Sequence, residues 1–338
     1  MVLNSLKNVM RQLTRVVFTL LVPVFMVMAL SKSAYAADVT GSAASPNTIA
    51  AATAVTTTAD DKFAFISAAA GVNGGAFNID HNTTIYVADG DDGSHALTLL
   101  GIDVAEDKTL TFIMNQNSST GSADANQLTV LQSVAVTGGG SLVFDFGTCG
   151  ATACAVVPVL NLGNATADTM AVKDFTINGM DSAAGGVTTS TVGGTNGAIT
   201  ATGTIAINGG NGGIVDAGDV GLMTFTDITA KHTAAVEWKA TGGTGGTTAG
   251  TSAGGDGGAI TFTDISGGID APTVSFTGGT GGGSTAAFTG GAGGAMTITD
   301  VTTVAFSNVT TINFVGGTGG GGGTVASSVG GVGGAFTM

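Results

Sequence analysis

In the last third of the chain, apolar and polar positions alternate in short runs. Ile260 and Phe262 alternate with Thr261 and Thr263, and Val274 and Phe276 sit between Thr273, Ser275 and Thr277. A period of two marks a strand with one face buried and the other wet. The β-branched and aromatic content of these runs favours strand over helix. After Asp264 the apolar phase slips to Ile265, which predicts a bend between two short strands. Upstream, strand-like runs fall at Thr84–Ala88, Thr109–Met114, Leu128–Leu131, Ser141–Phe146, Ala155–Leu160 and Asp174–Ile177, separated by Gly, Asn and Asp turns.

The runs repeat. Gly221-Leu222-Met223-Thr224-Phe225-Thr226-Asp227-Ile228 returns from Gly258 and again from Gly294, at steps of 37 and 36 residues. A second marker keeps phase with it: Val236-Glu237-Trp238, Val274-Ser275-Phe276 and Ile312-Asn313-Phe314, each followed by Gly-Gly-Thr-Gly-Gly starting at 242, 278 and 316. Two markers holding one period indicate a repeat architecture. A repeat of this size exceeds one coil of a narrow solenoid, so it reads as two coils, one carrying a long glycine loop. The Gly-Gly clusters then supply positive-φ turns or protruding loops. One coil cannot cover its own strand edges, so neighbours must stack and align like residues along the axis. The expected fold is all-β, a parallel β-helix (β-solenoid) with Gly-rich loops. A disordered glycine linker would leave the in-phase apolar pairs without purpose, and a propeller blade usually carries more aromatics.

The first 36 residues change the picture of where this body works. Lys7, Arg11 and Arg15 precede an apolar stretch of 15 residues from Val16 to Leu30, and Ala34-Tyr35-Ala36 offers a cleavage site. This predicts a signal peptide over residues 1–36 and an exported product, since the stretch is short of the roughly 20 residues that span a bilayer. Residues 37–60, rich in Ala and Thr, read as a flexible segment. Residues 61–215 read as irregular coils, and 216–338 as the Gly-rich repeat. Gly333-Gly334-Ala335-Phe336-Thr337-Met338 resembles the opening of another unit, so the expectation is a fragment of a longer reading frame.

Without the leader the chain keeps five lysines, no arginine and 23 acidic residues, a net charge of −18. That charge argues against nucleic acid and anionic membranes as partners. Candidate chemistry is sparse. His81, His95 and His232 lie far apart and read as surface residues rather than metal ligands. Asp89, Asp91 and Asp92 cluster in a turn and form a weak candidate calcium site, although the EF-hand spacing fails at Gly93 and at the twelfth position. Cys149 and Cys154, four residues apart in an exported chain, form a candidate disulfide. No catalytic motif and no cofactor motif is found, so no cofactor is expected.

Val104-Ala105-Glu106-Asp107-Lys108-Thr109-Leu110-Thr111-Phe112-Ile113-Met114, with Ser141-Leu142-Val143-Phe144-Asp145-Phe146 and Leu160-Asn161-Leu162-Gly163-Asn164-Ala165, resembles the passenger regions of autotransporters. More narrowly, the chain from about residue 60 to 215 is similar to the outer membrane protein B-like surface antigens of Rickettsia-like bacteria. The resemblance implies a β-helical passenger at the cell surface or outer membrane, engaged in adhesion to a host-cell receptor or surface. It also implies a C-terminal barrel, which this sequence does not contain. The expected role is therefore structural and adhesive. A fibre subunit that self-associates through solenoid edges is the alternative. A polysaccharide-degrading enzyme is the weaker one, because Tyr86 and Trp238 are the only Tyr and Trp after the leader and no arginine follows it.

Overall fold

The computed structural model describes residues 36–338 apart from 44, 46, 51–53, 68–71, 88–95, 115–126, 131–138, 150–158, 163–168, 183–188, 196, 213–220, 227, 249–252, 286–287, 301–305 and 325–327. Residues 1–35, the expected leader up to Ala36, therefore lie outside the described residues. The body from Asp38 to Met338 forms one compact unit.

The described strands stack into long parallel sheets, as a β-solenoid requires. Sheet A has eleven strands and sheet B ten, and a third, sheet C, has five. Each coil contributes one strand to A and one to B. From Thr169–Val172 onward, a strand of sheet C lies between them in sequence. Apolar residues of successive coils align inside. Leu128, Leu160, Val192, Phe225, Phe262 and Ile298 form one column of sheet A, and all are buried. In sheet B, Leu110, Leu142, Phe175, Ile205, Trp238 and Val274 form another buried column. Rings stack between coils, as Phe112 does on Phe144 at 5.6 Å and Phe225 on Phe262 at 4.9 Å. Such pairs add about 0.5–1.5 kcal/mol each beyond their burial.

One expectation about the coil is overturned. Ile260 pairs directly with Met223 on one side and Met296 on the other, so each long repeat is a single coil and not two. Coil length also grows along the chain. Val55 pairs with Phe77, a step of 22 residues, Leu128 with Leu160, a step of 32, and Met296 with Phe336, a step of 40. The added length is taken up first by sheet C and then by the glycines.

Nor do the glycines form positive-φ turns or loose loops. Among the described residues the positive-φ glycines are Gly139, Gly147 and Gly268, all outside the Gly-Gly-Thr-Gly-Gly tracts. One leg runs out from sheet B and a second returns to sheet A, and the two bond antiparallel: Gly258 N–H donates to Gly243 O, and Gly255 N–H to Gly246 O. Each leg also bonds in parallel to the next coil, Gly242 to Thr277 O, Gly245 to Thr280 O, Gly254 to Thr289 O and Gly257 to Ala292 O. Donors recur every third residue, the period of polyproline II, a conformation with no internal hydrogen bonds and hence free to bond sideways. Gly-Gly-X triplets suit it because only X faces water. A Cβ on Gly243 would overlap the carbonyl oxygen of Gly210, and one on Gly282 that of Gly246.

Residues 37–60, read from sequence as a flexible segment, include regular structure. They supply strands Asn47–Ala50 and Ala54–Thr57, which pair with Lys62–Ser67 and Val72–Ile79. Val39, Ile49 and Val55 are buried, so three apolar anchors dock a segment whose Ala and Thr content looked unstructured. His232 is likewise not a surface residue. It occupies a core column of sheet C between Ile199 and Ile269 and is buried. Trp238 Nε1–H donates to its Nδ1 at 3.4 Å, while Nε2 has no partner.

Between coils, charges pair at the turns. Lys108 Nζ lies 3.1 Å from Asp60, Lys173 binds Asp107, and Lys231 binds Asp270. Hydrogen bonds from Asn82 and Lys108 hold the Asp60 carboxyl below its usual range, and the Lys173 hydrogen bond does the same for Asp107. These groups are exposed, and such pairs contribute little each.

Two predictions follow from the interior. Burial pushes the His232 pKa down to about 4, so the folded state stays neutral while the unfolded chain takes a proton below about 6.5. Stability is full above pH 6.5 and falls by about 3 kcal/mol as the pH approaches 4. Denaturation followed by Trp238 fluorescence at pH 7.5 and 4.5 will show this loss, and His232→Leu will reduce it. Gly243→Ala will destabilise by about 3 kcal/mol or more, since the clash is with backbone. Gly321→Ala, with open space around it, will leave the melting temperature near that of the parent.

Candidate functional site

The strand ends of sheet B carry a ladder of short polar side chains. Asp145, Asn178 and Asn208 hold equivalent positions in three successive coils, paired in register. Asn178 Nδ2 donates to Asp145 Oδ2 at 3.5 Å, and Asn208 Nδ2 donates to Asn178 Oδ1 at 2.9 Å. Three residues further along each coil a second ladder begins. The Asn211 backbone N–H donates to Asp181 Oδ1 at 2.6 Å, and that of Thr244 to Asn211 Oδ1 at 3.1 Å. Gly179 and Gly209 lie between the ladders, and the result is a polar cleft of about 370 Å³ lined by Asp145, Asn178, Gly179, Asp181, Asn208, Gly209 and Asn211.

Electrostatically the cleft belongs to Asp145. Burial raises its pKa, hydrogen bonds from the Gly147 backbone and Asn178 oppose the rise, and the charge of Asp181 adds to it. Two carboxylates and three carboxamides make an oxygen-rich lining suited to the hydroxyls of a carbohydrate or to a hard cation. Among the described residues, however, no group of three or more His, Cys, Asp or Glu is gathered as a metal site would need.

Among the described residues, none of the candidates read from sequence lines the cleft. Asp89, Asp91 and Asp92 lie outside the described residues, as do His95 and Cys154. Cys149 ends the short strand Thr148–Cys149, which pairs with Asp181–Ser182 beside the cleft. His81 stands next to Asp60, 3.5 Å away. Sequence reading missed the cleft, although a signal was present: Ile-Asn-Gly occurs at 177–179 and at 207–209, thirty residues apart, each followed two residues after the glycine by Asp181 or Asn211. With the geometry in hand, comparison with family models, with curated proteins and with solved structures finds no match.

Asp145→Asn tests the electrostatics of the cleft. A carboxylate whose folded pKa is raised costs stability above that pKa, so the variant will melt higher than the parent at pH 7. The gain will vanish below the normal carboxylate range, where Asp145 is protonated in both states. Thermal melts at pH 7 and pH 2.5 read both limits.

Proposed function

We propose that this chain is an exported structural and adhesive protein of the cell surface or outer membrane, a passenger-like solenoid that presents repeated surfaces for contact with a host cell or another surface. Its role is display rather than catalysis. The observation that supports this most is the outer face itself. Successive coils set like side chains in register, Asp145 with Asn178 and Asn208 on one edge and Thr224 with Thr261 and Thr297 on another. Such ladders repeat one weak contact many times, which favours avidity toward an extended partner over affinity for a single small molecule. The basic, apolar and small-residue order of positions 7–36 supports export, and the −18 charge of the remainder supports a soluble, self-repelling exterior. The resemblance over roughly residues 60–215 supports display in the manner of autotransporter passengers.

Protease shaving of intact native cells tests the proposal, with an antibody against residues 61–338 reading loss and size. The expected result is loss of a band larger than the 32.5 kDa chain. A protected band near that size would mean a periplasmic product and would end the adhesive reading.

A further inference from the structure

One face of the body differs from the others in chemistry. In the Gly-rich coils, the outward positions of sheet A are Leu222, Thr224 and Thr226, then Ala259, Thr261 and Thr263, then Ala295, Thr297 and Thr299, then Ala335 and Thr337. Their inward neighbours Met223, Phe225, Ile260, Phe262, Met296 and Ile298 are all buried. The register makes these rows into columns: Thr191, Thr224, Thr261, Thr297 and Thr337 stand side by side across five strands. Thr263 and Thr299 lie between the paired positions 262/298 and 264/300, so they extend a second column alongside. No register shift interrupts the columns between Thr191 and Thr337.

The columns contain no charge, although the chain without its leader carries −18. Asp264 closes its row, and Asp256 precedes its row on the returning glycine leg. Sheet B offers the contrast, with Glu237 and Lys239 in the corresponding outward positions of one coil.

Spacing then selects a partner. Adjacent strands lie about 4.8 Å apart and alternate residues of a parallel strand about 6.6 Å apart. The strand-to-strand repeat of such a threonine lattice is close to a water-oxygen repeat on a prism face of ice, and the along-strand repeat is about a tenth shorter than its counterpart there. Threonine is β-branched and stiff at χ1, so each hydroxyl and methyl is held in place before any contact, and little further entropy is lost on binding. Methyl groups bound ordered water without competing for it, and hydroxyls donate and accept within it. Charged groups would impose a radial hydration shell that breaks such a lattice, and they are absent from these columns. Crystalline polysaccharide, the other flat periodic partner, is gripped by exposed aromatic rings, but Phe225 and Phe262 point inward.

We infer that the threonine face of sheet A, from Thr191 to Thr337, binds ice. This goes beyond the surface-display reading and does not depend on where the protein is located.

The test uses polycrystalline ice and the purified chain. Recrystallisation inhibition and partition into a growing ice front are measured for the parent, Thr261→Tyr, Thr263→Tyr and the control Thr244→Tyr. Thr244 is an exposed position on the outgoing glycine leg. Trp238 fluorescence and thermal melts establish that each variant is folded. The expected result is that the parent restrains grain growth, and that either sheet A variant needs about tenfold more protein for the same effect. Thr244→Tyr should match the parent. The inference is overturned if the folded parent leaves grain growth unchanged, or if the sheet A variants equal it. It is also overturned if the parent sediments with crystalline chitin or cellulose but stays out of ice, or if the face is consumed by a dimer that Thr261→Tyr dissociates.

Discussion

Every feature of this body depends on backbone hydrogen bonding from one coil to the next in constant register. A coil has no sheet of its own. Its strands become strands only when the preceding coil offers carbonyls and the following coil offers amides, so secondary and tertiary structure form together. Register carries the consequences outward. When Phe225 faces Phe262 inside, Thr224 must face Thr261 outside, because side chains alternate along a strand. The apolar columns, the asparagine ladder and the threonine lattice are therefore one constraint seen on different faces.

The glycine legs satisfy the same constraint by other means. Strand pairing uses amides in one plane, whereas three residues per turn direct them in three directions. A leg can then bond to its antiparallel partner and to the neighbouring coil together, with Gly258 bonding Gly243 and Gly257 bonding Ala292. This arrangement has little apolar side chain to bury. Its cohesion rests on amide hydrogen bonds and close backbone contact, and this explains why a single methyl at Gly243 has nowhere to go.

Much of the strand layout was legible from alternation alone. The run Thr109–Met114 became the strand Thr109–Ile113, and Ser141–Phe146 became Ser141–Asp145, because alternation and β-branched content agree there. Coil length was not legible. Gly-Gly-Thr has no apolar rhythm, and nothing in its residue types separates a three-residue helix in a bundle from a loose loop. The expectation of two coils per repeat followed from treating that tract as extra chain. His232 was misread for a related reason. Its residue type suggests a wet site, but its column partners Ile199 and Ile269 show a core position only once register is known. The cleft remained hidden because Asp145, Asn178 and Asn208 are ordinary turn residues in sequence and meet only through stacking.

The widening of the coils has a consequence for how such a protein can change. A polyproline II leg restores its outward face after each three-residue turn, so insertion of a triplet lengthens the leg without rotating what it presents. A strand offers less freedom, since one added residue inverts every side chain beyond it. The glycine region thus behaves as an adjustable blade on a fixed hilt. Its breadth can drift in steps of three while the aromatic interior and the surfaces built on it keep their alignment.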